Sequence, residues 1–253
     1  MLIIAGEEKN SKQNRPVGSG NLAIGGKNDY NEGKKQRGWN SMDCRVIQME
    51  QDPRREQYAY FRTFANPYVG LTVNVDITGL MVRKERGESL FLLVLYAVSK
   101  AANSVPELRR RIRGDQVVEY DWCPTSHTVA LDNGAYCYCR LSADMLLADF
   151  LPYAKAVQEQ AQKEPSLDDG GDAESLFFVS CVPWASYTAM VQPVPAPADS
   201  NPRITWGKYF RQGERTLMPV TLLAHHALVD GLHIAWFYEA LSLELAAISE
   251  GRA

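Results

Sequence analysis

Near the end of the chain, the apolar run Met218-Pro219-Val220-Thr221-Leu222-Leu223 leads into Ala224-His225-His226-Ala227-Leu228-Val229-Asp230-Gly231. The run reads as a buried strand, and Asp-Gly marks its end. From Leu232 to Ile248 apolar residues recur every three to four positions, the period of an amphipathic helix. Strand, tight turn and helix therefore follow one another, with two histidines at the junction. Successive side chains on a strand point to opposite faces, so only one of His225 and His226 can enter a given cleft. Imidazole titrates near neutrality, which lets it take a proton in one step and return it in the next. Each residue also has a plainer reading. A histidine on an apolar strand is commonly a hydrogen-bonded core residue, and Asp230 before a helix has the chemistry of an N-cap.

The rest of the chain mixes the two periodicities. Residues 1–42 are rich in Gly, Asn, Lys, Gln and Glu with no sustained apolar period, which predicts a mobile extension ahead of one folded unit, 43–253. Tyr68 to Ile77 alternates as a strand ended at Gly79. A helical face follows over Ser89 to Ile112, with a break expected at Pro106. Strands are expected around Val117 to Tyr120, Thr128 to Leu131 and Tyr136 to Leu141. The next helix starts at Ser142-Ala143-Asp144 and runs to about Lys163. Ser175 to Val182 is a further strand, and Arg203 to Arg211 with Thr216 to Ala227 forms a hairpin turned at Gln212-Gly213-Glu214. Because strands and helices do not alternate as regular βαβ units, the expectation is an α/β sandwich with one large mixed sheet packed with helices.

Composition narrows the function. A net charge of −3 gives no electrostatic footprint for nucleic acid. The basic cluster Arg109-Arg110-Arg111-x-Arg113 falls at the end of the helical pattern, where cations suit the helix dipole. No apolar segment approaches the roughly 20 residues that span a bilayer. Met1-Leu2-Ile3-Ile4-Ala5 passes at once into Gly6-Glu7-Glu8-Lys9, unlike a secretory leader, so a cytoplasmic location is expected. The five cysteines form no Cys-x-x-Cys pair. Cys137 and Cys139 have only His127 as a nearby third ligand, so no metal is expected.

His-His-x-x-x-Asp-Gly is the hallmark of acyltransferases that use thioesters of coenzyme A or of carrier proteins. Four stretches in order make the resemblance specific to the chloramphenicol O-acetyltransferase family. They are Arg54-Arg55-Glu56, Phe178-Val179-Ser180-Cys181-Val182-Pro183-Trp184, Thr205-Trp206-Gly207-Lys208-Tyr209, and Leu217 through His233, and the likeness runs from about residue 46 to the end. It implies an acetyl-CoA-dependent O-acetyltransferase that acetylates a hydroxyl of chloramphenicol and so confers antibiotic resistance, a homotrimer with its sites between subunits.

By the resemblance, His226 is the general base that takes the proton from an acceptor hydroxyl, which is otherwise a poor nucleophile. Ser180 is the donor to the oxyanion of the tetrahedral intermediate, and Thr205 helps hold that intermediate. Asp230 is a positioning residue paired with Arg54. Lys208, Tyr209 and Trp184 match positions that meet coenzyme A, while Tyr60, Phe61 and Cys137 fall at positions lining the acceptor pocket. Two departures leave the acceptor open. Asp52 stands where the family has tryptophan, and Cys137 where it has phenylalanine. The alternatives are another hydroxyl acceptor, or a catalytically inactive trimer that binds a partner.

Overall fold

The structure, a computed structural model, describes residues 43–169 and 172–253; the extension expected over residues 1–42 lies outside them. Fifteen labelled elements carry the fold. In chain order they are β1 (Cys44–Ile47), α1 (Arg55–Phe61), β2 (Tyr68–Asp76), α2 (Thr78–Glu85), α3 (Leu90–Asn103), β3 (Arg110–Arg113), β4 (Gln116–Tyr120), β5 (Thr125–Ala130), β6 (Tyr136–Leu141), α4 (Leu147–Lys163), β7 (Phe177–Val182), β8 (Arg203–Gly207), β9 (Phe210–Gln212), β10 (Arg215–His225) and α5 (Gly231–Ser249). A seven-stranded sheet runs in the order β2-β10-β8-β7-β5-β6, with β9 also on β10. It is mixed, as expected: β7 is parallel to both β5 and β8, and the other pairs are antiparallel. A small antiparallel sheet, β1-β4-β3, lies apart from it.

Alternation along the central strands separates two faces. One carries His127, Val129, Cys137, Val179, Ile204, Trp206, Val220 and Leu222, all buried, and the helices cover it. On that side the ring of Phe91 in α3 lies 5.1 Å from His127 and 5.3 Å from Trp206. Helix α5 contributes Ile234, Phe237, Leu241, Leu245 and Ile248, each such burial worth roughly 1.5–3 kcal/mol. The Tyr238 hydroxyl accepts from Leu222 N–H at 3.2 Å, which anchors α5 to β10. The opposite face is polar at its centre. The register sets Ser180 beside Thr205, Thr205 beside Thr221 and Thr221 beside Thr72, a row of hydroxyls across four strands.

Pro219 lies within β10 although proline donates no ladder bond. It stands opposite Asn74 on β2, but on the other side it meets the gap between β8 and β9. There the register shifts, from Val220 opposite Trp206 to Leu217 opposite Phe210. The missing N–H therefore breaks nothing, and the interruption presents Lys208 and Tyr209.

Several sequence expectations change. The helix expected to reach Ile112 ends at Asn103, because Val105 is held extended before Pro106, which opens a short 3-10 turn. The basic cluster is then strand β3 and not a helix terminus. Its Arg111 is fully buried, with the guanidinium donating to the carbonyls of Leu108, Glu174 and Leu176 at 2.7, 2.7 and 3.0 Å. The chain continues past Ile77 into helix α2, started by Asp76 Oδ1 accepting from Thr78 N–H at 2.9 Å. Helix α4 starts later than Ser142, whose hydroxyl instead closes a local turn with Asp144 N–H. The strand expected to run to Ala227 ends at His225.

Candidate active site

Because β10 stops at His225, the two histidines differ in kind. His225 is buried, its Nδ1 accepts from Ala227 N–H at 3.2 Å, and burial pushes its pKa down to about 4. It is a neutral framework residue beside a cavity of about 400 Å³ bounded by Arg62, Phe64 and Pro67. His226 lies in the turn, half-buried, with its N–H bonded to Pro67 O at 2.7 Å. Its Nδ1 is 2.9 Å from Val229 O. A carbonyl only accepts, so in the neutral ring the proton belongs on Nδ1 and the lone pair on Nε2, the tautomer a general base requires. The ring of Phe61 stacks on the imidazole at 3.9 Å and 20°, which fixes its plane.

The turn itself is clamped by Arg54. Its Nη2 donates to His226 O at 2.9 Å and its Nη1 to Asp230 Oδ2. Asp230 also caps α5: Oδ1 accepts from Leu232 N–H at 3.0 Å, and its own N–H bonds to His233 Nδ1 at 3.1 Å. The N-cap and pairing readings of Asp230 are therefore both realised, one on each carboxylate oxygen. Burial works against its charge, yet His233 and Arg54 outweigh it and hold the carboxyl below its ordinary pKa.

Sequence reasoning treated Asp52 only as a departure; here it supports Arg54. Its Oδ1 accepts from Arg54 N–H at 2.8 Å, and its Oδ2 from Arg110 at 3.2 Å. Its carboxylate can brace the turn because β3 carries Arg110 beside it.

Ser180 and Thr205 belong to the hydroxyl row and not to this cluster. Ser180 is 2% exposed, and among the described residues its Oγ is buried without a hydrogen-bond partner. Thr205 is fully buried and its Oγ1 accepts from Gln192 Nε2. Its neighbour in the ladder, Thr221, precedes His226 by five residues on the same strand and turn, a span of roughly 16 Å at about 3.3 Å per residue. Within one chain the turn that carries His226 and the row of buried hydroxyls are thus separate clusters.

The remaining predicted residues divide. Tyr60 is 62% exposed and packs edge-on to Phe61 at 5.1 Å, so the pair stays with His226. Lys208 is exposed, Tyr209 accepts from Lys84 Nζ at 2.7 Å, and Trp184 is 61% exposed; all three are at the surface around the β8–β9 interruption or the β7 end. Cys137 does not join Tyr60 and Phe61. It is fully buried on the helix-covered face, with Sγ 3.3 Å from Ala161 O of α4, because alternation on β6 gives the other face to Tyr136 and Tyr138. Among the described residues no group of three His, Cys, Asp or Glu side chains converges to hold a metal, and no helix is long and apolar enough to cross a membrane.

The chain resembles known proteins in sequence and in fold. The family model described as chloramphenicol acetyltransferase matches residues 42–242. The chain is 30% identical to chloramphenicol acetyltransferase 2 of Escherichia coli over 196 residues, 75% of this chain and 91% of that protein. It is 28% identical to a chloramphenicol acetyltransferase of Proteus mirabilis over 204 residues, 75% and 88% of the two chains. A solved chloramphenicol acetyltransferase superposes with a TM-score of 0.71 at 28% identity, covering 80% of this chain and all of the other. The dihydrolipoamide acetyltransferase of Azotobacter vinelandii shares the fold at a TM-score of 0.57 and 19% identity, over 78% and 88% of the two chains. With the family matched over most of its length, the chain belongs to the chloramphenicol acetyltransferase family, a family of acyltransferases.

Proposed function

We propose that this protein transfers the acetyl group of acetyl-CoA to a hydroxyl of chloramphenicol, with His226 as the general base. The observation that carries this is the fixed imidazole: Nδ1 committed to Val229 O, the ring held by Phe61, and the turn clamped by Arg54 and Asp230. Nε2 accepts the hydroxyl proton as the oxygen attacks the thioester carbonyl, and it returns that proton to the departing thiolate. Ser180, the buried hydroxyl without a partner, donates to the oxyanion, and Thr205 assists. Lys208, Tyr209 and Trp184 meet coenzyme A as co-substrate, and Tyr60 with Phe61 lines the acceptor pocket. No metal takes part in this reading.

A base and an oxyanion donor must each lie within about 3 Å of the reacting atoms. The spacing along β10 keeps Ser180 and His226 of one chain too far apart for that, which supports a homotrimer in which one subunit's base meets the next subunit's hydroxyl row. The protein works in the cytoplasm, where acetyl-CoA is made and used.

The test is product mass after incubation with acetyl-CoA and chloramphenicol, beside His226→Ala and a sedimentation run. Acetylated drug from wild type alone, and a trimer, support the reading. Hydrolysis of acetyl-CoA without acetylated drug would reassign the acceptor, and a monomer with full activity would reject the shared site.

A further inference from the structure

The segment between β7 and β8 has no regular secondary structure, yet it is tied to Thr205 at two atoms. Tyr187 OH donates to Thr205 O at 2.8 Å, and Gln192 Nε2 donates to Thr205 Oγ1. Gly207 makes the first tie possible, since a Cβ there would meet Ala185 O and Tyr187 Cε1 at 2.8 Å. Lys208 N–H donates to Ala185 O at 2.8 Å and extends the same seam. Tyr187 OH also accepts from Thr221 Oγ1 at 3.3 Å, and Thr221 meets Thr72 at 2.7 Å, so the segment is bonded to two members of the hydroxyl row and through Thr221 to a third. Gln192 itself is 5% exposed.

A hydroxyl has one hydrogen to give and two lone pairs to receive with. Gln192 approaches Thr205 as a donor, so one lone pair is occupied and the hydroxyl hydrogen must turn away from the amide. Thr205 is β-branched and stiff at χ1, which leaves rotation of that hydrogen as its main freedom. Ser180, its register neighbour, is the buried hydroxyl left without a partner. We propose that Gln192 is a positioning residue that fixes Thr205 as a hydrogen-bond donor, so that Thr205 and Ser180 act as a paired donor set for the negative charge of the transition state. This rests on the acetyl-transfer reading above.

The chemistry gives Gln192 variants a definite order. In Gln192→Leu the amide donor is lost and the Thr205 hydroxyl turns freely. In Gln192→Glu a carboxylate accepts from Thr205 and draws the hydroxyl hydrogen away from the site. The experiment measures kcat and KM of full-length wild type, both variants, Thr205→Val and the double variant Gln192→Leu/Thr205→Val, with folding checked by circular dichroism. The expected result is a kcat lowered about tenfold or more in Gln192→Leu, part of the roughly 10²–10³ that a whole oxyanion donor supplies, and lower still in Gln192→Glu. The KM for acetyl-CoA stays within about twofold, as for an interaction made only in the transition state. In the Thr205→Val background the leucine change has no further effect on kcat. An equal loss in both backgrounds, or a Gln192→Leu kcat like that of wild type, overturns the proposal while leaving acetyl transfer intact. If Gln192→Glu does not fold, the leucine cycle decides. A wild type that acetylates no acceptor defeats the functional reading, and this one with it.

Discussion

Arg54 and Asp230 lie 176 residues apart in sequence, and each stands at the N-cap of its own helix, Arg54 before α1 and Asp230 before α5. Their charge pair joins the two helix starts, and the second nitrogen of the same guanidinium holds the His226 carbonyl. The His226 backbone is thus held from behind by a residue that bonds to its carbonyl and not to its ring.

Asp230→Asn is expected to fold, since asparagine is an equally good N-cap, while the charge on Arg54 loses its partner. We expect kcat to fall by about 10²-fold, the scale of a small misplacement of a catalytic group. Steady-state kinetics with a thermal melt checks this, and a variant with wild-type turnover would deny the clamp its role.

His226→Ala removes the only group assigned to proton transfer. The loss should be at least the roughly 10²–10⁴ typical of general-base catalysis, with KM for acetyl-CoA little changed. A variant keeping most of its turnover would move the base elsewhere.

Ser180→Ala deletes a buried hydroxyl that has no hydrogen-bond partner among the described residues, so stability should hold or rise while kcat falls roughly 10²–10³-fold. Paired denaturation and rate measurements separate this from a structural serine, whose loss would lower stability first.

Asp52→Ala should unlatch Arg54 N–H and the Arg110 guanidinium together. Its side chain is 10% exposed. Arg110 keeps Glu119, to which its Nε donates at 3.0 Å, so the main loss is the acceptor of the Arg54 N–H, and a buried donor left unsatisfied costs about 1–3 kcal/mol. Urea unfolding gives the number, and a shift of a few tenths of a kcal/mol would mean that solvent replaces the carboxylate.

Acid should destabilise the fold early. Burial pushes His127 from 6.5 down to about 3 and His225 to about 4. Between those values and 6.5 the unfolded chain binds more protons than the folded one, so stability rises with pH there and is full above 6.5. It is lost on acidification at up to about 1.4 kcal/mol per pH unit for each histidine. Denaturation midpoints from pH 4 to 7 test this, and His127→Gln should flatten the slope by about half.

Much of the fold was legible because periodicity reports burial. The strand before the paired histidines, helix α5 and strand β6 all have a regular apolar pattern, and each is found close to where the pattern puts it. The misplaced elements have local causes that periodicity does not register. Val105 and Pro106 end α3 early, and the Ser142 turn delays α4. Arg111 gave no sign that a guanidinium would be buried whole, because two of its carbonyl partners, Glu174 and Leu176, come from residues far along the chain.

The site divides along the same line. His226, Asp230 and Ser180 could be singled out as candidates from the sequence because their residue types and spacing carry the family pattern. Tertiary structure decided which histidine is free, since β10 ends between the two. It also turned Cys137 toward α4 and set Asp52 and Gln192 behind the site residues, because hydrogen bonds between distant segments leave no mark in any local pattern. The separation of Ser180 from His226 belongs there too: sequence supplies the residues, but only strand order and register fix the distance between them.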